Sequence, residues 1–220
     1  MDLLSLVAQV TKRKGDLFSQ AQDLAKKTQS LNKLEEMMEG QSKEIVGNLR
    51  DGRIRWEEYE RSLVEQSIIS ALASAILGSS DNSQRVLDKS WPIIIGDMLP
   101  PLHTFLSQTQ ISLELGLIEP REGDTDFEES SPKRMSWGGL LSRVMRYLST
   151  PTYSFFQLGN FFNKSDQGYK EMRRIAVLDQ KTCEDCKHFS SLGWQTLGSL
   201  PMPGRECRCY DRCRCRIEYR

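Results

Sequence analysis

All six cysteines of this chain lie between positions 183 and 215, spaced as Cys183-x-x-Cys186, a gap of twenty residues, then Cys207-x-Cys209-x-x-x-Cys213-x-Cys215. Cysteines used as small hydrophobes would be scattered; these are gathered at one end. A two-residue spacer lets both sulfurs of the first pair face one ion. Turns at Gly193 and Gly198 let a short hairpin cross the gap and return the second cluster to the same ion. Zinc takes four soft or borderline ligands in a tetrahedron. Six cysteines are two too many for one such site and too few for two separate ones. Cys183 and Cys186 are the leading ligands, and two of Cys209, Cys213 and Cys215 complete the set. Cys207 and His188 are extra candidates, and six thiolates around two shared ions is the remaining arrangement.

Disulfides would need an oxidising compartment. Asp2 precedes any basic residue and no small-residue cleavage pattern follows, so the expectation is no export signal and metal-bound thiolates. The longest apolar run, Ile68 to Leu77, is interrupted by Ser70 and Ser74, which leads to the expectation of no membrane span.

Catalysis finds little to work with. Only two histidines are present, His103 and His188, and no serine–histidine–aspartate set can be assembled around them. Gly138-Gly139 lacks the lysine of a phosphate-cradling loop. The cysteine order does not match a nucleobase deaminase. A redox Cys-x-x-Cys should open a helix beside a strand, whereas polar loop residues are expected after Cys186. Four or more local cysteines favour a closed structural site, so the expectation is a non-enzyme.

The rest of the chain reads as helix. Leu17, Ala21, Leu24, Thr28, Leu31 and Met38 recur at steps of three and four, predicting one long N-terminal helix. Asp51-Gly52-Arg53-Ile54 with Glu58 imitates half a calcium loop. The first two ligand positions would be Gly47 and Leu49, which offer no side-chain oxygen, so a turn followed by a helix is expected instead. That helix carries Trp56, Tyr59, Leu63, Ile69 and Ala73 and ends in Gly78 to Ser83. The next is predicted from near Asp81 to just before Pro92, with a further break at Pro100-Pro101. Trp137, Leu140, Leu141, Val144, Met145 and Leu148 mark another, interrupted at Pro151. The aromatics from Tyr153 to Phe162 read as core, His103 as structural, and Arg173-Arg174 as a solvent-facing turn.

Between Glu119 and Pro132 six carboxylates face one arginine, which predicts a solvated acidic linker or loop. The organisation expected is therefore a helical region over 1–118, the linker over 119–132, and helices leading into a cysteine-rich module (178–219) over 133–220. The fold class expected is α+β, mostly helical, with a small zinc-ribbon-like β-hairpin module at the C-terminal end.

Overall charge is balanced, 30 basic against 30 acidic residues, which argues against a protein built to grip bulk nucleic acid. Locally, Arg205, Arg208, Arg212, Arg214, Arg216 and Arg220 face only Glu206, Asp211 and Glu218. Such a basic surface suits phosphates. It equally suits offsetting the negative charge of zinc-bound thiolates.

Asp179, the Cys183-x-x-Cys186 knuckle, Gly193-Trp194, Leu200-Pro201, Gly204 and the closing Cys209-x-x-x-Cys213-Arg214-Cys215-Arg216 together resemble the phage head morphogenesis family, the minor head proteins similar to the phage Mu head protein. Many members end in His-x-x-Cys-Arg-Cys; this chain has no histidine there, and Cys207 is surplus to the pattern. Gly52-Arg53-Ile54 with Trp56, and the stretch from Tyr153 to Arg174, fit the helical part more loosely. The resemblance implies a non-enzymatic structural component of a virion, a minor head or neck protein made in the host cytoplasm. It implies portal or capsid proteins as partners, several copies per particle, a structural zinc, and at most weak DNA contact. The alternative is a zinc-ribbon protein that binds nucleic acid through its arginine-rich end.

Overall fold

In the computed structural model, which describes residues 2–80, 84–119, 135–204, 206–209 and 213–220, the N-terminal apolar periodicity builds two helices rather than one. After α1 (Leu3–Lys12), α2 (Lys14–Thr28) ends at Gln29, which adopts a left-handed backbone (φ 59°), and α3 (Leu31–Arg50) restarts with Ser30 as its N-cap. The Ser30 hydroxyl accepts from the Lys33 amide at 3.3 Å. Leu17, Ala21, Leu24, Thr28 and Met38 are all buried, so the spacing located the core face but not the break. A three- or four-residue step survives a one-residue kink, and only the serine at the cap marks it.

The Asp51-Gly52 turn forms as expected, with Gly52 at φ 68°, and α4 (Trp56–Ser79) follows. By length and composition alone α4 could cross a membrane, a property the apolar run understated. Ser67 and Ser74 return their hydroxyls to the carbonyls of Leu63 and Ser70, which hides their polarity. Most of this stretch is buried within the protein, against α2, α3 and a later helix.

Three prolines expected to end helices do not. α5 (Gln84–Ile93) runs through Pro92, a π-helical segment (Ile94–Met98) follows, and α6 (Leu99–Glu114) contains Pro100 and Pro101 in its first turn. The wider π turn leaves room ahead of the proline pair, and first-turn amides need no helical partner. His103 lies half-buried in α6. Short strands β1 (Ile118–Glu119) and β2 (Met135–Ser136) pair in parallel. Apart from Glu119, the acidic stretch between them lies outside the described residues, as does the predicted helix start near Asp81.

Ser136 caps α7 (Trp137–Asp166), accepting from the Gly139 amide, and this helix passes through Pro151 without ending. α7 packs most extensively on α4 and next on α3, so helices from either side of the acidic stretch share one core. Their crossing is close enough that a Cβ on Gly78 would sit 1.9 Å from the Phe156 carbonyl oxygen, and one on Gly159 2.0 Å from that of Ala75. Of the aromatics expected in the core, Phe155 and Phe162 are buried, while Tyr153, Phe156 and Phe161 are half-buried.

The C-terminal end is a three-stranded antiparallel sheet, ordered β4 (Gln195–Thr196), β3 (Glu171–Ile175), β5 (Arg216–Tyr219), with α8 (Glu184–Ser191) beside it. The fold is thus mostly helical with a small C-terminal β region carrying the cysteines. The central strand precedes the first cysteine, so the sheet is more than a hairpin across the gap. Gly193 and Gly198 do turn there, at φ 68° and 88°.

Candidate metal centre

The centre is assembled on β3. Strand alternation places Met172, Arg174 and Ala176 on one face, all of them buried, while Arg173 faces outward. This overturns the expectation of a solvent-facing turn at Arg173-Arg174: Arg174 is 0% exposed. A charged pair reads as surface in a sequence, and the signal that would have found it is the period-two match of Arg174 to Met172.

Cys183 is the N-cap of α8 and Cys186 sits in its first turn, so the knuckle opens a helix beside a strand, contrary to the loop expected there. Positive helix-end partial charge favours thiolates at this position. The second cluster returns from the far side, and Cys215 leads directly into β5. Tyr153 of α7 donates its hydroxyl to the Cys215 carbonyl at 2.6 Å and ties the cluster to the helical body.

The structure brings all six sulfurs together. Cys186, Cys207, Cys209 and Cys213 have Sγ atoms within 4.8 Å of one another. Within this group Cys186 and Cys209 are 3.3 Å apart, Cys207 and Cys209 3.3 Å, and Cys186 and Cys213 3.9 Å. Cys183 lies 3.6 Å from Cys209, and Cys215 is buried in the same cluster. All six are free thiols. Cys207, surplus by motif, belongs to the tightest group. His188 stands outside it, exposed, with its ring against Phe189.

Arg174 reaches into the sulfurs. Its Nη2 lies 3.1 Å from Cys207 Sγ, 3.3 Å from Cys213 and 3.4 Å from Cys186, while Nη1 donates to the Pro201 carbonyl at 3.3 Å. The Phe189 ring packs against the same guanidinium. A fully buried arginine must meet anions, and these sulfurs are the groups that can supply them.

Left to themselves, three of the thiols resist ionisation. The neighbouring Cys213 and then burial push Cys207 up to about 12, and burial chiefly pushes Cys186 and Cys209 upward as well. Cys183 goes the other way, because hydrogen bonds led by the Cys186 backbone outweigh its burial. Cys215 is also lowered, by hydrogen bonds from Cys213 and Arg174 against the opposing effect of burial. A soft divalent cation overcomes the burial penalty by deprotonating coordinating thiols outright. Sulfurs at these separations, with few other ligand types among them, fit zinc.

The arginines predicted as a basic surface are drawn into pairs. Arg214 grips Asp179 with two bonds of 2.7 and 2.5 Å, Arg216 meets Glu218 at 3.1 Å, and Arg220 meets Glu171 at 2.6 Å. Arg208 donates its amide to Asp185 at 2.9 Å and holds its side chain 3.6 Å from the same carboxylate. Arg205 and Arg212 lie outside the described residues. The guanidiniums of Arg173 and Arg220 both lie over the Trp194 ring, 4.7 and 4.5 Å from its centre.

Comparison of the chain with family models, curated proteins and solved structures finds no match in any of the three.

Proposed function

We propose that this chain is a non-enzymatic architectural protein whose C-terminal sheet is locked by structural zinc, and that it serves in the head or neck of a phage virion. The observation that carries the metal part is the clustering of six cysteines in one place, three of whose sulfurs meet a buried guanidinium. A sheet of three short strands buries too little apolar surface to hold itself, and a metal clip supplies what core burial cannot. The virion part rests only on the resemblance of the ordered motif over 178–219 to the phage head morphogenesis family. The motif's elements have matching duties: Asp179 holds Arg214, the Pro201 carbonyl accepts from Arg174, and two arginines lie over Trp194.

The cysteine cluster speaks more directly for a second reading, a zinc-ribbon protein that binds nucleic acid through its arginine-rich end. Arg208, 78% exposed and only loosely paired, is the described tail arginine best placed for a phosphate. The carboxylate partners of Arg214, Arg216 and Arg220 work against it, because each bound phosphate would have to displace an anion already in place.

One experiment separates the two. Purified zinc-loaded protein is titrated with duplex DNA at 50 mM and 200 mM salt. The architectural reading expects weak binding or none at either salt. Tight binding that falls steeply between the two would establish the nucleic-acid reading instead.

A further inference from the structure

The six cysteines form two overlapping sets of four that share Cys186 and Cys209. One set is the tight group Cys186, Cys207, Cys209 and Cys213. The other surrounds a cavity of about 10 Å³, lined by Cys183, Cys186, Cys209 and Cys215 together with Val177, Thr182 and two cationic side chains, Lys181 and Arg214. That volume is about the space of one small sphere. The shared sulfurs are only 3.3 Å apart, as two ligands on a common edge should be.

We infer that the centre is binuclear: two zinc ions in two sulfur tetrahedra joined along the Cys186–Cys209 edge. Cys183 and Cys215 complete one site, and Cys207 and Cys213 complete the other. This rests on the reading of the cluster as a metal clip and goes beyond it in number, ligand assignment and bridging. It accounts for all six cysteines, where a single ion in the tight group leaves Cys183 and Cys215 without a ligand role. It also accounts for where Arg174 points. Two divalent ions and six thiolates leave a net charge of about −2 in a buried place, and Arg174 donates to one bridging sulfur, Cys186, and to both terminal sulfurs of the second site. On the outer side, Arg214 lies at the rim of the first site.

The test is a metal count on the full chain. Protein reduced, loaded with zinc and freed of loosely held ions by gel filtration is weighed by native mass spectrometry. Two ions per chain are expected, falling to one in Cys207→Ser and to one in Cys183→Ser. Loading with ¹¹³Cd²⁺ should give two cadmium resonances split by coupling to each other through the shared sulfurs. A wild-type count of one overturns the binuclear assignment and leaves the metal clip standing, with Arg174 the lone cation on the Cys207–Cys213 side. A count of zero overturns both. Two uncoupled cadmium signals would overturn the bridging roles of Cys186 and Cys209.

Discussion

Arg174 Nη2 lies 3.1 Å from the Sγ of Cys207, although the two residues are 33 positions apart and arrive on opposite sides of the cysteine gap. The contact couples the central strand to the cysteine cluster and places the strand's one buried cation among the sulfurs.

Replacing Arg174 by methionine keeps the bulk of the side chain and removes the charge. Zinc affinity, read by competition with a chromogenic chelator, should fall by about 10–100-fold, the usual cost of losing a group that supports metal ligands. Arg174→Lys should recover only part of this, since an ammonium cannot reach the sulfurs and the Pro201 carbonyl in one plane.

Metal removal should unfold one end of the molecule and spare the other. Treating reduced protein with a strong chelator and following hydrogen exchange by mass spectrometry should strip protection from residues 171–175 and 216–219. Amides in α4 and the first half of α7, held by the helical core, should keep theirs. Uniform loss across the chain would show that the metal supports the whole fold.

At the crossing of α4 and α7 there is no room for a methyl group. Gly159→Ala must push the Ala75 carbonyl away and should destabilise the protein by about 3 kcal/mol in urea unfolding. Gly40→Ala is the control. It sits exposed within α3 with nothing near its would-be Cβ, and should stabilise by roughly 0.5–1 kcal/mol.

Acid should loosen the tail through its carboxylates. Arg214 holds Asp179 below the ordinary carboxylate range, Arg220 does the same for Glu171, and Arg173 and then Arg216 for Glu218. Groups depressed in the folded state lend stability above their unfolded pKa of about 4 and lose it as pH falls. These pairs are exposed, so the effect is modest and shrinks with salt. In zinc-loaded protein, Asp179→Asn should flatten the decline in melting temperature below pH 5 while leaving the metal count at pH 7 unchanged.

What the amino-acid order disclosed, and what it hid, follow from the range of the forces involved. Apolar spacing located the buried faces of α2, α4 and α7 because one residue type repeats at short range. The convergence of the cysteines was visible for the same reason. The prolines misled, because whether a helix survives one depends on packing from neighbours such as α4, which the local chain does not show. Arg174 was misread on its polarity. Its burial makes sense only once three sulfurs, two of them more than 30 positions downstream, meet it. His188 matched a ligand by spacing, yet helix geometry turns it off the metal side.

The hydroxyl of Tyr153 grips the backbone of Cys215 from the midst of a 30-residue helix. Just beyond Pro151, glycine-to-carbonyl contacts at Phe156 and Gly159 seat that helix directly on α4. Through that one hydroxyl the cysteine-bearing tip is tied to a helix that the main core itself holds, rather than hanging from the chain alone.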